Sequence, residues 1–204
     1  CLRIRLSWCI IRKKGDKMNI SNKLTFLRII LAFVCIGLIL GNTLGALALA
    51  FLIFIIASIT DFFDGYLARK KNIVSDLGKI IDPIADKILT IGVFLAFLQL
   101  GIINAWMVSV IMLREFIITA LRLYSLNKGV VLEAKWFGKN KTISQITAIV
   151  TIFITLILGK ISASGFFLFL YNRVIPILMW YVVLITLFSG IYYFWENRKA
   201  IKTF

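Results

Sequence analysis

The chain has no histidine, two prolines and nine acidic residues against 24 lysines and arginines in 204 positions. Without imidazole, the usual proton shuttle near neutral pH and the commonest nitrogen ligand for metals are both excluded. With so few prolines, and 13 glycines, long uninterrupted helices are favoured over turn-rich strands. Cys1, Cys9 and Cys35 are odd in number and have no CxxC spacing, which excludes a disulfide framework and a zinc site and leaves unpaired thiols. Charged residues make up only 16% of the chain and apolar ones 61%. With a mean hydropathy of +0.96, this excludes a water-soluble core domain. Any chemistry must therefore run on carboxylates, amines, hydroxyls and bound ions.

What is present in abundance is hydrocarbon. Six stretches can cross a core of about 30 Å: Leu24–Leu40, Leu44–Phe62, Ile81–Leu100, Ile102–Leu123, Ser144–Leu158 and Pro176–Trp195, the last able to start near Phe166. A backbone in lipid must satisfy its hydrogen bonds internally, so the expected fold is all-α, an integral membrane bundle of six transmembrane helices. Eight basic residues precede or include Arg28, and Arg69, Lys70, Lys71 and Lys79 follow the second span. Lys128, Lys135, Lys139 and Lys141 follow the fourth, and Arg198, Lys199 and Lys202 close the chain, whereas the opposite connections hold only Lys160 and Arg173. This asymmetry predicts that both termini are cytoplasmic. The net charge of +15 is then a cytoplasmic collar suited to anionic headgroups or phosphorylated substrates. With no compact basic domain, nucleic acid is not an expected partner.

Residues 1–17 alternate basic and apolar types without a cleavage pattern, and Met18 opens a stretch that reads like a natural protein start. They are read as an upstream extension without a required role, an amphipathic surface helix being the alternative. Residues 18–204 are read as a single domain.

Five of the nine acids, Asp61, Asp64, Asp76, Asp82 and Asp86, fall within 26 residues beside or inside apolar segments. A carboxylate near hydrocarbon is costly unless paired, hydrated or metal-bound. Asp61 and Asp64 are three apart and Asp82 and Asp86 four apart, so each pair projects from one face of its helix. A short connection makes the two helices antiparallel neighbours whose cytoplasmic ends can gather all four acids. Like charges so close cannot all stay ionised unaided. An oxygen-only donor set favours hard ions, Mg²⁺ with Mn²⁺ or Ca²⁺ as substitutes, and two ions bridged by carboxylates suit phosphoryl chemistry. The competing reading is a salt-bridge network with Arg69, Lys79 and Lys87. Gly65 and Ala68 keep the acid-bearing face open to a flat or phosphorylated group. Pro83 either takes a first-turn position or kinks a helix begun near Gly78.

The run from Asp61 through Asp64, Gly65, Ala68 and Arg69 to Gly78, Asp82 and Asp86 resembles the full D-x2-D-G-x2-A-R-x8-G-x3-D-x3-D signature of the CDP-alcohol phosphatidyltransferase family. All eight positions match. The resemblance implies six membrane helices, two divalent cations, and transfer of a substituted phosphate from a CDP-linked donor to an alcohol with release of CMP. It also implies that Asp61, Asp64, Asp82 and Asp86 hold the metals, with Asp86 as general base. Asp61, Gly65, Ala68, Arg69 and Gly78 would line the nucleotide pocket.

Asn19 to Arg28, Arg114 to Arg122 and Gly138 to Thr142 resemble bacterial members of that family that use glycerol 3-phosphate; Ser21 departs from the proline found in many of them. This likeness implies CDP-diacylglycerol as donor and sn-glycerol 3-phosphate as acceptor, at the cytoplasmic face of a bacterial cytoplasmic membrane, with membrane lipid around the protein. Arg114, Arg122, Lys139 and Lys141 are then the candidates for binding the acceptor phosphate. For the two lysines a purely topological role is the alternative, and for Arg114 an internal ion pair with Glu115. The other functions that the residues allow are the same reaction with another alcohol (inositol phosphate, serine or phosphatidylglycerol) and divalent-metal transport. Gly37, Gly41 and Gly45, at every fourth position, could seat a homodimer, but Gly41-Asn42 reads better as a turn between the first two spans.

Overall fold

Among the described residues all regular structure is helical. The computed structural model describes the backbone of residues 20–71, 76–127, 136–162 and 165–198, and the side chains there except at 20–25, 61–71, 76–84, 86, 126–127 and 136–139. The extension 1–17 lies outside this set. The helices are α1 (Ile20–Gly41), α2 (Leu44–Lys71), α3 (Asp76–Gln99), α4 (Ala105–Asn127), α5 (Trp136–Ile161), α6 (Gly165–Phe169) and α7 (Ile175–Glu196). A π-helical turn, Leu170–Val174, joins the last two into one rod of 32 residues.

Each expected span falls on one of the six helical stretches, but two boundaries move. The fifth helix starts at Trp136, before the expected Ser144, and the sixth stretch starts at Gly165. A positively charged or polar turn continues a helix as readily as an apolar one, so hydropathy underestimates helix length. Asn140–Ile161 and Gly165–Glu196 are long and apolar enough to cross a membrane. Shorter apolar stretches, Phe26–Gly41, Leu44–Thr60 and Lys87–Gln99, lie within α1, α2 and α3. Because α3 begins at Asp76, Pro83 sits inside the helix and not in its first turn.

The Gly41-Asn42 turn is present. Asn42 takes the left-handed conformation, φ 47°, and its N–H donates to the Ile39 carbonyl at 3.1 Å. Thr43 then caps α2, its Oγ1 accepting the Ala46 N–H at 3.3 Å. At the end of α3, Gly101 has φ +71°, with Gly101 N–H donating to Leu98 and Ile102 N–H to Phe97 at 2.9 and 3.1 Å. This is the paired-bond helix stop that a glycine permits.

The packing is tightest where side chains are small. Ala32, Cys35 and Ile39 of α1, Ala50, Phe54 and Ala57 of α2, and Val93, Phe94 and Phe97 of α3 are buried in one cluster. A Cβ on Gly92 of α3 would lie 2.6 Å from the Ile36 side chain, so the absence of one lets α1 and α3 approach. Phe153 of α5 is central, its ring 5.5 Å from Phe51, 6.0 Å from Phe54 and 5.2 Å, edge-on, from Phe97. Cys35 is a buried free thiol whose Sγ lies 3.5 Å from the Ala50 carbonyl. Along their described lengths α2 packs chiefly on α1 and α5, and α3 on α1, α4 and α5, so α1 and α5 bridge the two signature helices. The outer surface is as apolar as the inside: Phe33, Leu52, Ile56, Ile177, Phe188 and Ile191 are all exposed.

Candidate active site

The signature residues occupy the end of one helix and the start of the next. Asp61, Asp64, Gly65, Ala68 and Arg69 lie in the last turns of α2, and Gly78, Asp82 and Asp86 in the first turns of α3. The three- and four-residue spacings therefore act on real helices, as the periodicity requires. Their side chains lie outside the described residues, as does that of Lys139 in the first turn of α5.

One residue beyond Asp86 the described part of the site begins. Lys87 Nζ of α3 lies 2.8 Å from Glu115 Oε2 of α4. The other carboxylate oxygen, Oε1, accepts from Arg114 Nη1 at 3.1 Å and from Lys141 Nζ of α5. Arg114 Nη2 in turn donates to Ser189 Oγ of α7 at 3.1 Å. Three helices thus meet at one carboxylate, and Arg114 ties in a fourth. Glu115 and Lys141 are each 3% exposed, a depth at which a charge persists only when paired and hydrogen-bonded.

The helices hold the group in register. Ser144 Oγ donates to the Lys141 carbonyl at 2.7 Å, a back-bond of the kind that serine makes inside helices. On α7, Thr186, Ser189, Gly190 and Tyr193 are buried at spacings of three, four and seven, one polar seam on an otherwise apolar rod. Gly190 is the close approach: a Cβ there would stand 3.3 Å from Arg114 Cγ.

Among the described side chains three cations share the one carboxylate of Glu115. Around this cluster, Arg114 Nε, Gln145 Nε2, Thr186 Oγ1 and Tyr193 OH are buried and have no partner among the described residues. Gln145 stands one turn from Lys141, and Thr186 and Tyr193 one turn either side of Ser189–Gly190. Each such group costs about 1–3 kcal/mol if left unpaired. Clustered cations with spare donors can hold a small polyanion.

Of the four candidates for binding an acceptor phosphate, Arg114 and Lys141 are brought together. Arg122, two turns further along α4, is exposed. The alternative for Arg114, an ion pair with Glu115, is also present, so the pair is a part of the cluster and does not compete with it. Sequence reasoning missed Lys87 as a member, having weighed it only as a partner for the aspartates, and gave Ser189 and Gly190 no role. The available signal was Glu115: an acid deep in an apolar span, outside the aspartate stretch, needs cations of its own. Arg28, counted only toward topology, is 4% exposed within α1.

Comparison with known proteins identifies the family. The profile of the CDP-alcohol phosphatidyltransferase family matches residues 18–192, and the chain belongs to that family. Similar to it is the CDP-diacylglycerol–glycerol-3-phosphate 3-phosphatidyltransferase of Bacillus subtilis, 39% identical over 152 residues, covering 74% of this chain and 75% of the relative. The protein of the same name from Rickettsia typhi is 36% identical over 186 residues, covering 91% of this chain and 98% of the relative. A probable phosphatidylglycerophosphate synthase of Mycobacterium tuberculosis is 38% identical over 134 residues.

Proposed function

We propose that this chain is a multi-pass membrane enzyme that transfers the phosphatidyl group of CDP-diacylglycerol to sn-glycerol 3-phosphate, giving phosphatidylglycerol phosphate and CMP, in phospholipid synthesis. The observation that carries the choice of acceptor is the meeting of Arg114 and Lys141 at the buried Glu115, with the Arg114 Nε–H and neighbouring donors left without a partner among the described residues. The phosphate of the acceptor is a dianion near neutral pH. Clustered guanidinium and ammonium donors suit it, and the site begins one residue from the last signature aspartate.

Asp61, Asp64, Asp82 and Asp86 would hold two divalent cations, Mg²⁺ or Mn²⁺. Four carboxylates and no histidine form the hard oxygen donor set that such ions prefer. When bound, these ions neutralise the diphosphate of the donor and polarise the attacked phosphorus. Gly65, Ala68, Arg69 and Gly78, with Asp61, line the nucleotide's place at the ends of α2 and α3. Asp86 takes the proton of the acceptor's 1-hydroxyl as its oxygen bonds to the phosphorus bearing the lipid, and the bond from that phosphorus to the CMP oxygen breaks. Holding the acceptor's phosphate at Arg114 and Lys141 fixes the distance from which its hydroxyl reaches the phosphorus. Lys139 and Arg122 lie nearer the helix ends and attract the acceptor without seating it.

The bilayer is the solvent for the six helical stretches. Their exposed leucines, isoleucines and phenylalanines would be an aggregation surface in water. Both termini and the signature ends of α2 and α3 face the cytoplasm of a bacterial inner membrane, following the basic residues. An acceptor panel tests the reading: purified protein with Mg²⁺ and CDP-diacylglycerol should release CMP with sn-glycerol 3-phosphate and not with serine, inositol phosphate or phosphatidylglycerol. CMP release with one of those alone would move the protein to another acceptor within its family. Metal flux without CMP would favour transport.

A further inference from the structure

The described contacts of Arg114 extend to a helix that contributes nothing to the aspartate signature. Its Nη1 is held by Glu115 at 3.1 Å and its Nη2 by Ser189 Oγ at 3.1 Å. The Ser189 hydroxyl hydrogen is itself committed, donating to the Thr186 carbonyl at 3.0 Å, so its oxygen is left to accept from the guanidinium. Beside it, Gly190 presents bare backbone, and a Cβ there would lie 3.3 Å from Arg114 Cγ and 3.7 Å from Nε. The serine fixes one end of the fork and the glycine makes room for its stem. Held in this way, the guanidinium keeps its Nε–H buried and without a partner among the described residues. A buried charged donor left unused, on a side chain tethered at both other nitrogens, is a group set up for a ligand.

We propose that Ser189 and Gly190 of α7 are positioning residues that aim Arg114 at the acceptor's phosphate. The proposal rests on the reading of the Lys87–Arg114–Lys141 cluster as the phosphate site and deepens it by adding the sixth helical stretch to the acceptor site. Neither residue touches the substrate. Each acts through the orientation of the guanidinium, so its loss should show in acceptor affinity and not in the handling of the donor lipid.

The test uses the full chain in detergent micelles with CDP-diacylglycerol and Mg²⁺, measuring KM for each substrate, kcat, competitive inhibition by inorganic phosphate, and the melting temperature. Ser189→Ala should raise KM for sn-glycerol 3-phosphate and weaken phosphate inhibition, each about tenfold, the scale of one lost charge-assisted bond. KM for CDP-diacylglycerol should stay unchanged. Ser189→Thr, which keeps the hydroxyl, should retain near-normal values, and Gly190→Ala should shift the same two quantities in the same direction as Ser189→Ala. If Arg114→Gln weakens phosphate while Ser189→Ala and Gly190→Ala do not, whatever their melting temperatures, the positioning role is overturned and the phosphate site stands. Equal movement of both KM values in Ser189→Ala would mark a general structural role and also overturn it. If Arg114→Gln leaves phosphate inhibition unchanged, the underlying site reading fails and this proposal fails with it.

Discussion

Glu115→Gln is the most informative single change to the cluster. The substitution keeps the shape of the side chain and removes the one negative charge among Lys87, Arg114 and Lys141. A glutamine amide can accept from one of them with its oxygen but must turn its NH₂ toward another cation, so a donor meets a donor where an ion pair stood. Removing one partner of a buried pair costs about 3–5 kcal/mol, because the remaining charge is left uncompensated. Here Arg114 and Lys141 both lose their carboxylate, and Lys141 is 3% exposed. For a chain of this length about 2–4 °C of melting temperature corresponds to each kcal/mol. The expected fall is therefore about 6–20 °C, read by thermal unfolding of the detergent-solubilised protein. A second expectation follows from the same charge count: an anion should replace part of what the carboxylate supplied. Phosphate at about one hundred times its Kd stabilises by about 2.7 kcal/mol. It should therefore restore about 5–10 °C to the variant, and more than it adds to the unaltered protein, whose cations are already partly neutralised. A fall of less than about 2 °C, with equal phosphate effects on the two proteins, would refute the reasoning that Glu115 is the counter-charge of the site.

Other changes probe separate parts of the molecule. Asp86→Asn should abolish CMP release while CMP or CDP still binds, measured by calorimetry; retained turnover would remove Asp86 as the base. Asn42→Gly should leave stability unchanged, whereas Asn42→Ala should lower it by about 1 kcal/mol, because the turn holds φ at 47°; thermal melts of the two variants decide. Phe153→Ala should cost about 3 kcal/mol, since the ring fills the space between Phe51, Phe54 and Phe97 and truncation leaves a cavity. Its acceptor KM should not change, and a change would show that this aromatic cluster is coupled to the site.

The six helical stretches were legible because lipid-length apolar runs and scarce proline leave one way to satisfy a backbone. The two boundaries that moved show where that signal stops. Trp136 to Ile143 carries Lys139 and Lys141, which lower hydropathy without lowering helix propensity, so a window that reads oil ends the helix too late at its N-terminal side. The π turn at Leu170–Val174 has no sequence signature of its own and simply lets the rod from Gly165 run on. Helix neighbours were less legible than helices. The short connection between α2 and α3 suggested direct antiparallel packing, yet α1 and α5 are the chief partners of α2 along its described length. A short loop fixes which ends are close but leaves open what fills the space along the bodies.

The candidate site divides along the same physical line. The aspartates were legible because their spacing is local: three and four residues on a helix place two acids on one face whatever the rest of the chain does. The cation cluster was half legible because each member had a local reason to be noticed, a charge inside or beside an apolar span, but its meeting point depends on four helices converging. Lys87 and Lys141 are 54 positions apart, and both are held by Glu115. Ser189 and Gly190 were silent in sequence, since a serine and a glycine in an apolar helix are ordinary packing residues. They gain meaning only when Arg114 is found against them. A buried charge in the sequence of an apolar helix therefore announces that partners exist, and which partners they are is settled only where the helices converge.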